Sequence, residues 1–205
     1  MTIAKSLFRL IAAVMCSASC GILFAQEPNC NEIVDMAKMV RAKSSAVLIA
    51  EKQKAGNSYR SQVVFAARSV ELHPTSQRDA ILLLNLIPTD DAQQRTWMTF
   101  GDSLCSGETV SDMKSLGRLG EALPRDLAKA VLLVPNKLLD YVTYALVSTQ
   151  DPHSDYAVRM QTVCRGKYRE FVKAVEGLSS DKRDWFIKHI FNPEGCHALA
   201  LPEAE

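Results

Sequence analysis

The stretch DAILLLNLIP, residues 79–88, decides the fold class. Its apolar side chains are interrupted only by Asn85, so a helix here would be apolar on nearly all sides, which is typical of a helix surrounded by others. The stretch lacks Val and Thr, follows a candidate capping residue at Thr75 and ends at Pro88, and these features favour a helix over a buried strand. The sequence therefore predicts a helical protein with this segment at the centre of its core.

On both sides of this stretch, apolar residues recur at the spacing of three and four residues that is typical of helices. Pro or Gly punctuates almost every segment, and Pro124 stands where a helix would begin, a position in which its missing amide costs nothing. The predicted helices span residues 31–54, 59–72, 75–87, 90–103, 110–123, 125–134, 136–148, 154–165, 167–178 and 180–191.

The apolar stripes of these helices also predict which side chains face the core. The stripe of the first helix holds Ile33, Met36, Val40, Val47 and Leu48. The stripe of the last holds Trp185, Phe186 and Ile190, with His189 packed at the edge of the core. The fold class is therefore all-α, an irregular globular bundle of about ten short helices. A helical-hairpin solenoid is the alternative, and the lack of a fixed repeat period argues against it.

The first 25 residues have the pattern of a secretory signal peptide. A short basic start, with Lys5 and Arg9, is followed by an uncharged apolar run over residues 10–25 and then by an abruptly polar segment. The run is shorter than the roughly 20 residues of a membrane-spanning helix. We therefore expect cleavage after Ala25 and a periplasmic or secreted protein. An uncleaved membrane anchor and a lipoprotein acylated at Cys20 are the alternatives.

Removal of the signal leaves residues 26–205, a length that fits one domain with a real core. We expect a single helical domain there, with 197–205 as a flexible tail. Lys5 and Arg9 leave with the signal, so the mature chain is close to neutral, and its charge does not mark a nucleic-acid-binding protein. No stable membrane insertion is expected after cleavage.

The mature chain keeps four cysteines, and in an oxidising compartment this even number predicts two disulfides. They are Cys30, Cys105, Cys164 and Cys196, and no pair has the spacing of a zinc or thioredoxin-type motif. Cys164 lies on the apolar face of its predicted helix, and Cys196 follows a turn that could fold back toward it. Of the three possible connectivities, we favour Cys30 with Cys105 and Cys164 with Cys196.

The sequence FGDSL, residues 100–104, resembles the block around the nucleophilic serine of the GDSL (SGNH) hydrolases. The resemblance covers only this short block and implies a hydrolase with Ser103 as its nucleophile. In that family the block follows a strand near the mature N-terminus, and an Asp-x-x-His pair completes the triad. Here the block ends a predicted helix and no Asp-x-x-His pair follows it, so Ser103 stands without the base that a triad requires.

A second candidate site is His153, which stands between Asp151 and Asp155 at a predicted helix start. Two carboxylates beside an imidazole could tune a base or hold a cation. Helix capping explains the same residue types without any ligand. The other histidines are His73, His189 and His197. They fall in separate segments without metal-ligand spacing, so we expect no metal and no cofactor.

Charge is distributed unevenly along the chain, with an excess of acidic residues over 79–155 and an excess of basic residues over 156–188. Five basic residues lie on two adjacent predicted helices around Gly166. They are Arg159, Arg165, Lys167, Arg169 and Lys173. A surface of this kind would attract an acidic protein or an anionic envelope surface. The alternative is the ordinary solvated face of an amphipathic helix.

These observations disfavour an enzyme, because the sequence shows no glycine-rich phosphate loop, no recognisable carboxylate pair and no complete triad motif. We expect an exported, disulfide-stabilised helical protein that binds another protein through its basic residues, as an inhibitor or immunity-type module does. The alternatives are a hydrolase using Ser103 and an envelope accessory protein anchored by its uncleaved N-terminus.

Overall fold

The computed structural model describes residues 30–98, 110–148 and 155–198, and it confirms the predicted all-α globular fold. The described residues form ten α-helices: α1 (Cys30–Arg41), α2 (Ser45–Ala55), α3 (Tyr59–Leu72), α4 (Gln77–Leu84), α5 (Asp91–Met98), α6 (Val110–Leu133), α7 (Leu138–Ser148), α8 (Asp155–Gly166), α9 (Tyr168–Glu176) and α10 (Ser180–His189). A 3₁₀ turn over Pro135–Lys137 precedes α7. Among these helices, none combines the length and the apolar composition that a membrane crossing requires.

The longest helix, α6, lies at the centre of the core and packs against α1, α3, α4, α7 and α8. One stripe of this helix is buried along its whole length: Leu116, Leu119, Leu123, Leu127, Ala130 and Val131. Full burial of a leucine or valine side chain contributes roughly 1.5 to 3 kcal/mol. The core is therefore organised around α6.

Helix α6 continues through Pro124, so the prediction that a new helix begins at this proline was wrong. A proline inside a helix forfeits one backbone hydrogen bond and costs about 3 kcal/mol. Leu119, Leu123 and Leu127 keep the same spacing on both sides of it, and all three are buried. Burial of this continuous stripe outweighs the local cost of the proline.

The predicted single helix over 31–54 is two helices in the structure, because the chain leaves the helical conformation before α2. Ser44 is extended and its side chain accepts a hydrogen bond from the Val47 amide at 3.4 Å, which caps α2. Arg68 of α3 holds the connection by donating two hydrogen bonds to the Ala42 carbonyl oxygen, at 2.6 and 3.0 Å. The break changes the helical register, so Val47 is 48% exposed instead of buried.

Helix α4, which holds most of the stretch 79–88, lies at the edge of the core and not at its centre. Its main packing partners are α3 and α6, which cover only part of its circumference. Ile81 and Leu82 are 42% and 39% exposed, while the opposite face is buried. The prediction of a helix surrounded on all sides was therefore wrong, and its exposed face borders a cleft described below.

The last helix, α10, also presents an aromatic side chain to solvent. Phe186 and Ile190 are buried as predicted, but Trp185 is 43% exposed. The Trp185 ring lies against the ring of His189, with centroids 5.8 Å apart, and His189 is exposed as well. The predictions for Trp185 and His189 were wrong, because α10 buries a narrower stripe than its apolar residues suggest.

A disulfide between Cys164 and Cys196 joins α8 to the end of the described chain, as the sequence predicts. Cys196 lies in the turn between two short antiparallel strands, β1 (Phe191–Asn192) and β2 (His197–Ala198). His197 and Ala198, assigned above to a flexible tail, pair with β1. The other predicted disulfide, Cys30 with Cys105, involves a residue outside the described ranges and stays a prediction.

Two aromatic clusters contribute to the core. Phe171, Phe186 and Phe191 are completely buried, and the Phe191 centroid lies 5.5 and 5.8 Å from those of the other two rings. In the second cluster, the buried Trp97 of α5 packs edge-on against Tyr144 of α7 with centroids 5.3 Å apart. Ring pairs of this geometry stabilise the fold beyond the area that they bury.

Charged side chains form a network where α3 meets α6. Glu71 accepts hydrogen bonds from Arg68 at 2.7 Å and from Arg125 at 3.2 Å, and Arg125 also binds Asp126 at 2.9 Å. The Asp126 side chain is buried. Burial raises the pKa of Asp126 above its ordinary value of 3.8, and the Arg125 guanidinium opposes part of that rise.

The stability conferred by Asp126 is expected to fall as pH rises. A carboxyl whose pKa is higher in the folded state stabilises the fold most at acidic pH and loses that contribution as pH passes through the folded pKa. The native chain should therefore lose stability relative to Asp126→Asn as pH rises from about 4, the ordinary pKa of an Asp side chain, through the higher pKa of the folded state. Urea unfolding of both proteins across this range measures the difference. If the native chain instead gains stability relative to Asp126→Asn as pH rises, the raised pKa of Asp126 is contradicted.

Candidate functional sites

Several residues singled out in the sequence lie outside the described ranges. Ser103 and Cys105 fall within residues 99–109, and His153 falls within 149–154. Asp155, on the other side of His153, is the exposed first residue of α8. The roles proposed for Ser103 and His153 stay predictions.

Four of the five predicted basic residues lie at the junction of α8 and α9, and together they are called the basic surface below. They are Arg165, Lys167, Arg169 and Lys173. Lys167 is partly buried at the turn, and the other three are exposed. Within the described residues, none of the four forms an ion pair. Their charges are therefore available to a ligand.

Arg159, the fifth predicted residue, stands apart from the basic surface. It is partly buried, and its Nε atom is buried without a hydrogen-bond partner in the described part of the chain. The Tyr141 hydroxyl is also buried and unpartnered there. Burial raises the pKa of Tyr141, and the Arg159 charge opposes that rise. The Arg159 charge therefore influences the buried Tyr141 hydroxyl, and its Nε atom does not face the solvent.

The fold brings together three residues that lie in separate segments of the sequence. The Ser45 Oγ atom lies 2.7 Å from Nε2 of His73, and Nδ1 of the same ring lies 3.0 Å from Oδ2 of Asp79. A nucleophile, an imidazole and a carboxylate in this order form the arrangement of a catalytic triad. We call these three residues the Ser45 triad.

Three helix ends position the Ser45 triad. Ser45 is the first residue of α2, His73 is the capping residue at the end of α3, and Asp79 lies in the first turn of α4. The turn between α3 and α4 is closed by the Ser76 amide, which donates to the His73 carbonyl oxygen at 3.0 Å. Ser76 then caps α4 by accepting from the Asp79 amide at 3.2 Å. The sequence pattern predicted this cap at Thr75, one residue too early.

The two contacts of the triad fit one neutral tautomer of the imidazole. An ionised Asp79 carboxylate only accepts hydrogen bonds, so Nδ1 of His73 must carry the proton. In the neutral ring Nε2 is then an acceptor, and the Ser45 hydroxyl donates to it. This is the tautomer in which a histidine can remove a proton from a serine hydroxyl.

The Ser45 triad opens into a cleft of about 810 Å³ between α2, α3 and α4. Apolar side chains form much of its wall: Leu48, Ile49, Phe65, Ile81 and Leu82. Ile49, like Ile81 and Leu82, is exposed to solvent. Apolar walls with a few convergent polar groups are typical of small-molecule sites.

A second cleft, of about 800 Å³, lies between the α4–α5 connection, α7 and the α9–α10 turn. Its polar lining includes Asp90 and Lys182, together with the ion pair of Lys137 with Asp140. Within the described part of its wall, no histidine or cysteine is present. The described residues as a whole also hold no cluster of three or more His, Cys, Asp or Glu side chains suited to a metal ion. The Ser45 cleft is the better candidate for chemistry.

No protein-family model, curated protein or solved structure matches this chain. Its function therefore has to be inferred from its own residues. The basic surface carries the binding residues predicted from the sequence, whereas the Ser45 triad is visible only in the folded chain.

Sequence reasoning missed the Ser45 triad because its members are far apart and match no local motif. Ser45 and His73 are 28 residues apart, and His73 and Asp79 are 6 apart. The helix boundary before Thr75 could have indicated that His73 and Asp79 meet, because a tight turn there brings His73 close to the first turn of the next helix. Ser45 carried no such signal, since its position depends on a helix break that the apolar pattern does not show.

Proposed function

We propose that this protein is an exported protein-binding module whose basic surface binds an acidic partner protein. The observation that supports the proposal most directly is the group of cationic side chains at the junction of α8 and α9 that lack ion pairs within the described residues. Unpaired exposed cations attract an acidic surface and speed association with it.

Two features of α9 favour a protein over an anionic membrane as the partner. Tyr168 lies between Lys167 and Arg169 in sequence and is 46% exposed, and exposed Tyr and Arg side chains often dominate the binding energy of protein interfaces. The exposed Glu170 adds a negative charge among the cations. A surface of mixed sign suits a partner of matching charge pattern better than a uniformly anionic bilayer.

Export is part of this proposal. The pattern of residues 1–25 predicts a signal peptide. The Cys164–Cys196 disulfide supports an oxidising destination, because disulfides form and persist in secreted and periplasmic proteins. Retention of the N-terminus as a membrane anchor is the alternative stated above.

The proposal is tested by removing the charges of the basic surface. In the surface variant, Arg165, Lys167, Arg169 and Lys173 are replaced with Gln. In the control variant, four exposed cations outside the basic surface are replaced with Gln: Lys43, Lys114, Arg118 and Lys188. Both variants lose the same charge, so only the position of the loss differs.

Cross-linking in the producing cell, followed by affinity capture, is expected to recover an acidic protein with the native chain and the control variant. Capture by the surface variant should fall about tenfold or more, and raising the salt concentration should weaken the native complex. Equal capture by all three proteins would contradict the proposal. Binding of the native chain to phosphatidylglycerol vesicles, without loss of any captured protein in the surface variant, would identify an anionic membrane instead.

A further inference from the structure

We infer that the Ser45 triad is the catalytic site of a serine hydrolase that cleaves carboxylic esters with an apolar acyl group. This activity goes beyond the proposed binding function and is independent of it. The triad belongs to α2, α3 and α4, whereas the basic surface belongs to α8 and α9.

The first support is the complete sequence of hydrogen bonds from nucleophile to base to orienting carboxylate. Ser45 with His73 at 2.7 Å, and His73 with Asp79 at 3.0 Å, are both within the range required for proton transfer and ring orientation. The two contacts use opposite nitrogens of one ring, so a single tautomer satisfies both. The triad is recognised by this geometry and not by chain order, which differs among unrelated hydrolases.

The second support is the position of Ser45 at the start of a helix. The first amides of a helix have no acceptor within it, and they carry partial positive charge. Within the described residues, neither the Ser45 amide nor the Ala46 amide has a hydrogen-bond partner. The amides of the nucleophile and of the residue after it are therefore available as donors to the oxyanion that forms when the Ser45 hydroxyl attacks a carbonyl carbon.

The third support is the cleft itself, which determines the class of substrate. The triad lies in the cleft wall with the exposed Ile49, Ile81 and Leu82. A helix whose apolar side chains remain exposed beside a serine nucleophile provides a surface for an acyl chain. The same exposed face of α4 is the feature that contradicts the sequence prediction of a fully buried helix.

The reaction follows from these positions. His73 Nε2 takes the Ser45 proton as Oγ forms a bond to the ester carbonyl carbon, and the bond to the leaving oxygen breaks as His73 protonates the released alcohol. Water then enters, gives a proton to His73 and attacks the acyl carbon. The bond between Ser45 Oγ and the acyl carbon then breaks, which releases the carboxylic acid, and His73 returns the proton to Ser45 Oγ. Asp79 orients the ring and stabilises its charged form in both steps.

The inference is tested by measuring ester cleavage and covalent labelling of the full chain. The substrates are p-nitrophenyl acetate and p-nitrophenyl hexanoate, and the label is a fluorophosphonate, which bonds to an activated serine oxygen with loss of fluoride. We expect the label on Ser45 when the labelled protein is digested and sequenced by mass spectrometry. A label on Ser103, or on any other serine, or no label at all, would overturn the inference.

Substitutions of the triad residues test which side chains take part in ester cleavage. Ser45→Ala and His73→Gln should each lower kcat/KM about 100-fold or more, and Asp79→Asn about tenfold or more. Matched controls are Ser180→Ala, which changes a serine at the same first position of α10, and His189→Gln, which changes another exposed histidine. The controls should keep the native rate. A purely structural network would give the same rates in triad and control variants, which would overturn the inference.

A separate pair of substitutions in the cleft wall tests the substrate class. Ile81→Gln with Leu82→Gln changes exposed cleft residues outside the triad. We expect the ratio of kcat/KM for the hexanoate ester to kcat/KM for the acetate ester to fall about tenfold, because the longer chain makes more contact with the apolar wall. An equal effect on both esters would overturn the assignment of this wall to the acyl chain.

Discussion

Replacing Phe171 with Ala is expected to lower the free energy of unfolding by about 3 to 5 kcal/mol, which is the largest effect of any single substitution considered for this fold. Phe171 is completely buried, and its ring packs against that of Phe191 with centroids 5.5 Å apart. Removal of the ring loses its burial and its ring contact, and it leaves a cavity between α9 and β1. In a chain of this length the melting temperature should fall by about 10 °C.

Urea unfolding measures this loss, and two variants show whether it comes from the buried volume. Tyr168→Ala removes an aromatic ring from the same helix at an exposed position, so it should cost less than about 1 kcal/mol. Phe171→Leu keeps much of the apolar volume and should give an intermediate loss. If Phe171→Ala and Tyr168→Ala lose equal stability, the aromatic cluster does not form part of the cooperative core.

Removal of the Cys164–Cys196 disulfide is expected to lower stability by about 3 to 4 kcal/mol. The bond joins residues 32 positions apart, and closing a loop of this length restricts the unfolded chain by about that amount in the chain-entropy treatment. The bond also holds the β1–β2 turn against α8, so its loss should release the end of the described chain first.

Cys196→Ala alone and Cys196→Ala with Cys164→Ala distinguish the cross-link from the packing of a buried sulfur. Cys164 is completely buried, and the single variant keeps its side chain in place. Equal losses in the two variants, measured by urea unfolding, would assign the effect to the cross-link. A stability within about 1 kcal/mol of the native chain in both variants would show that packing alone holds this turn.

The fold class could be predicted from sequence because each helix carries its own periodic pattern. The segment predicted over 59–72 is α3 with the same bounds, since Ser58 caps it and its apolar stripe is regular. The pairing of Cys164 with Cys196 was also predictable, because an inward-facing cysteine was followed by a turn. Each prediction rests on local patterns: the cap and stripe of one helix in the first case, and the apolar helix face at Cys164 with the turn before Cys196 in the second.

Features that depend on competition between distant contacts could not be predicted in this way. Pro124 is a helix-start signal by local rules, but the buried stripe of α6 overrides it. The triad needs Ser45, His73 and Asp79 at three helix ends to meet, and one missed helix break was enough to hide it. The distribution of charge predicted five basic residues as one group, but Arg159 is partly buried and its Nε atom has no partner in the described part of the chain, whereas the other four residues lie at the junction of α8 and α9.

The two tryptophans, one buried against Tyr144 and the other exposed beside His189, give the molecule two optical probes with opposite surroundings. The indole of Trp97 emits from an apolar interior and changes its emission only when the core opens. The indole of Trp185 is accessible to a small quencher such as acrylamide while the fold is intact. Intrinsic fluorescence therefore separates an event at the surface of α10 from unfolding of the whole chain.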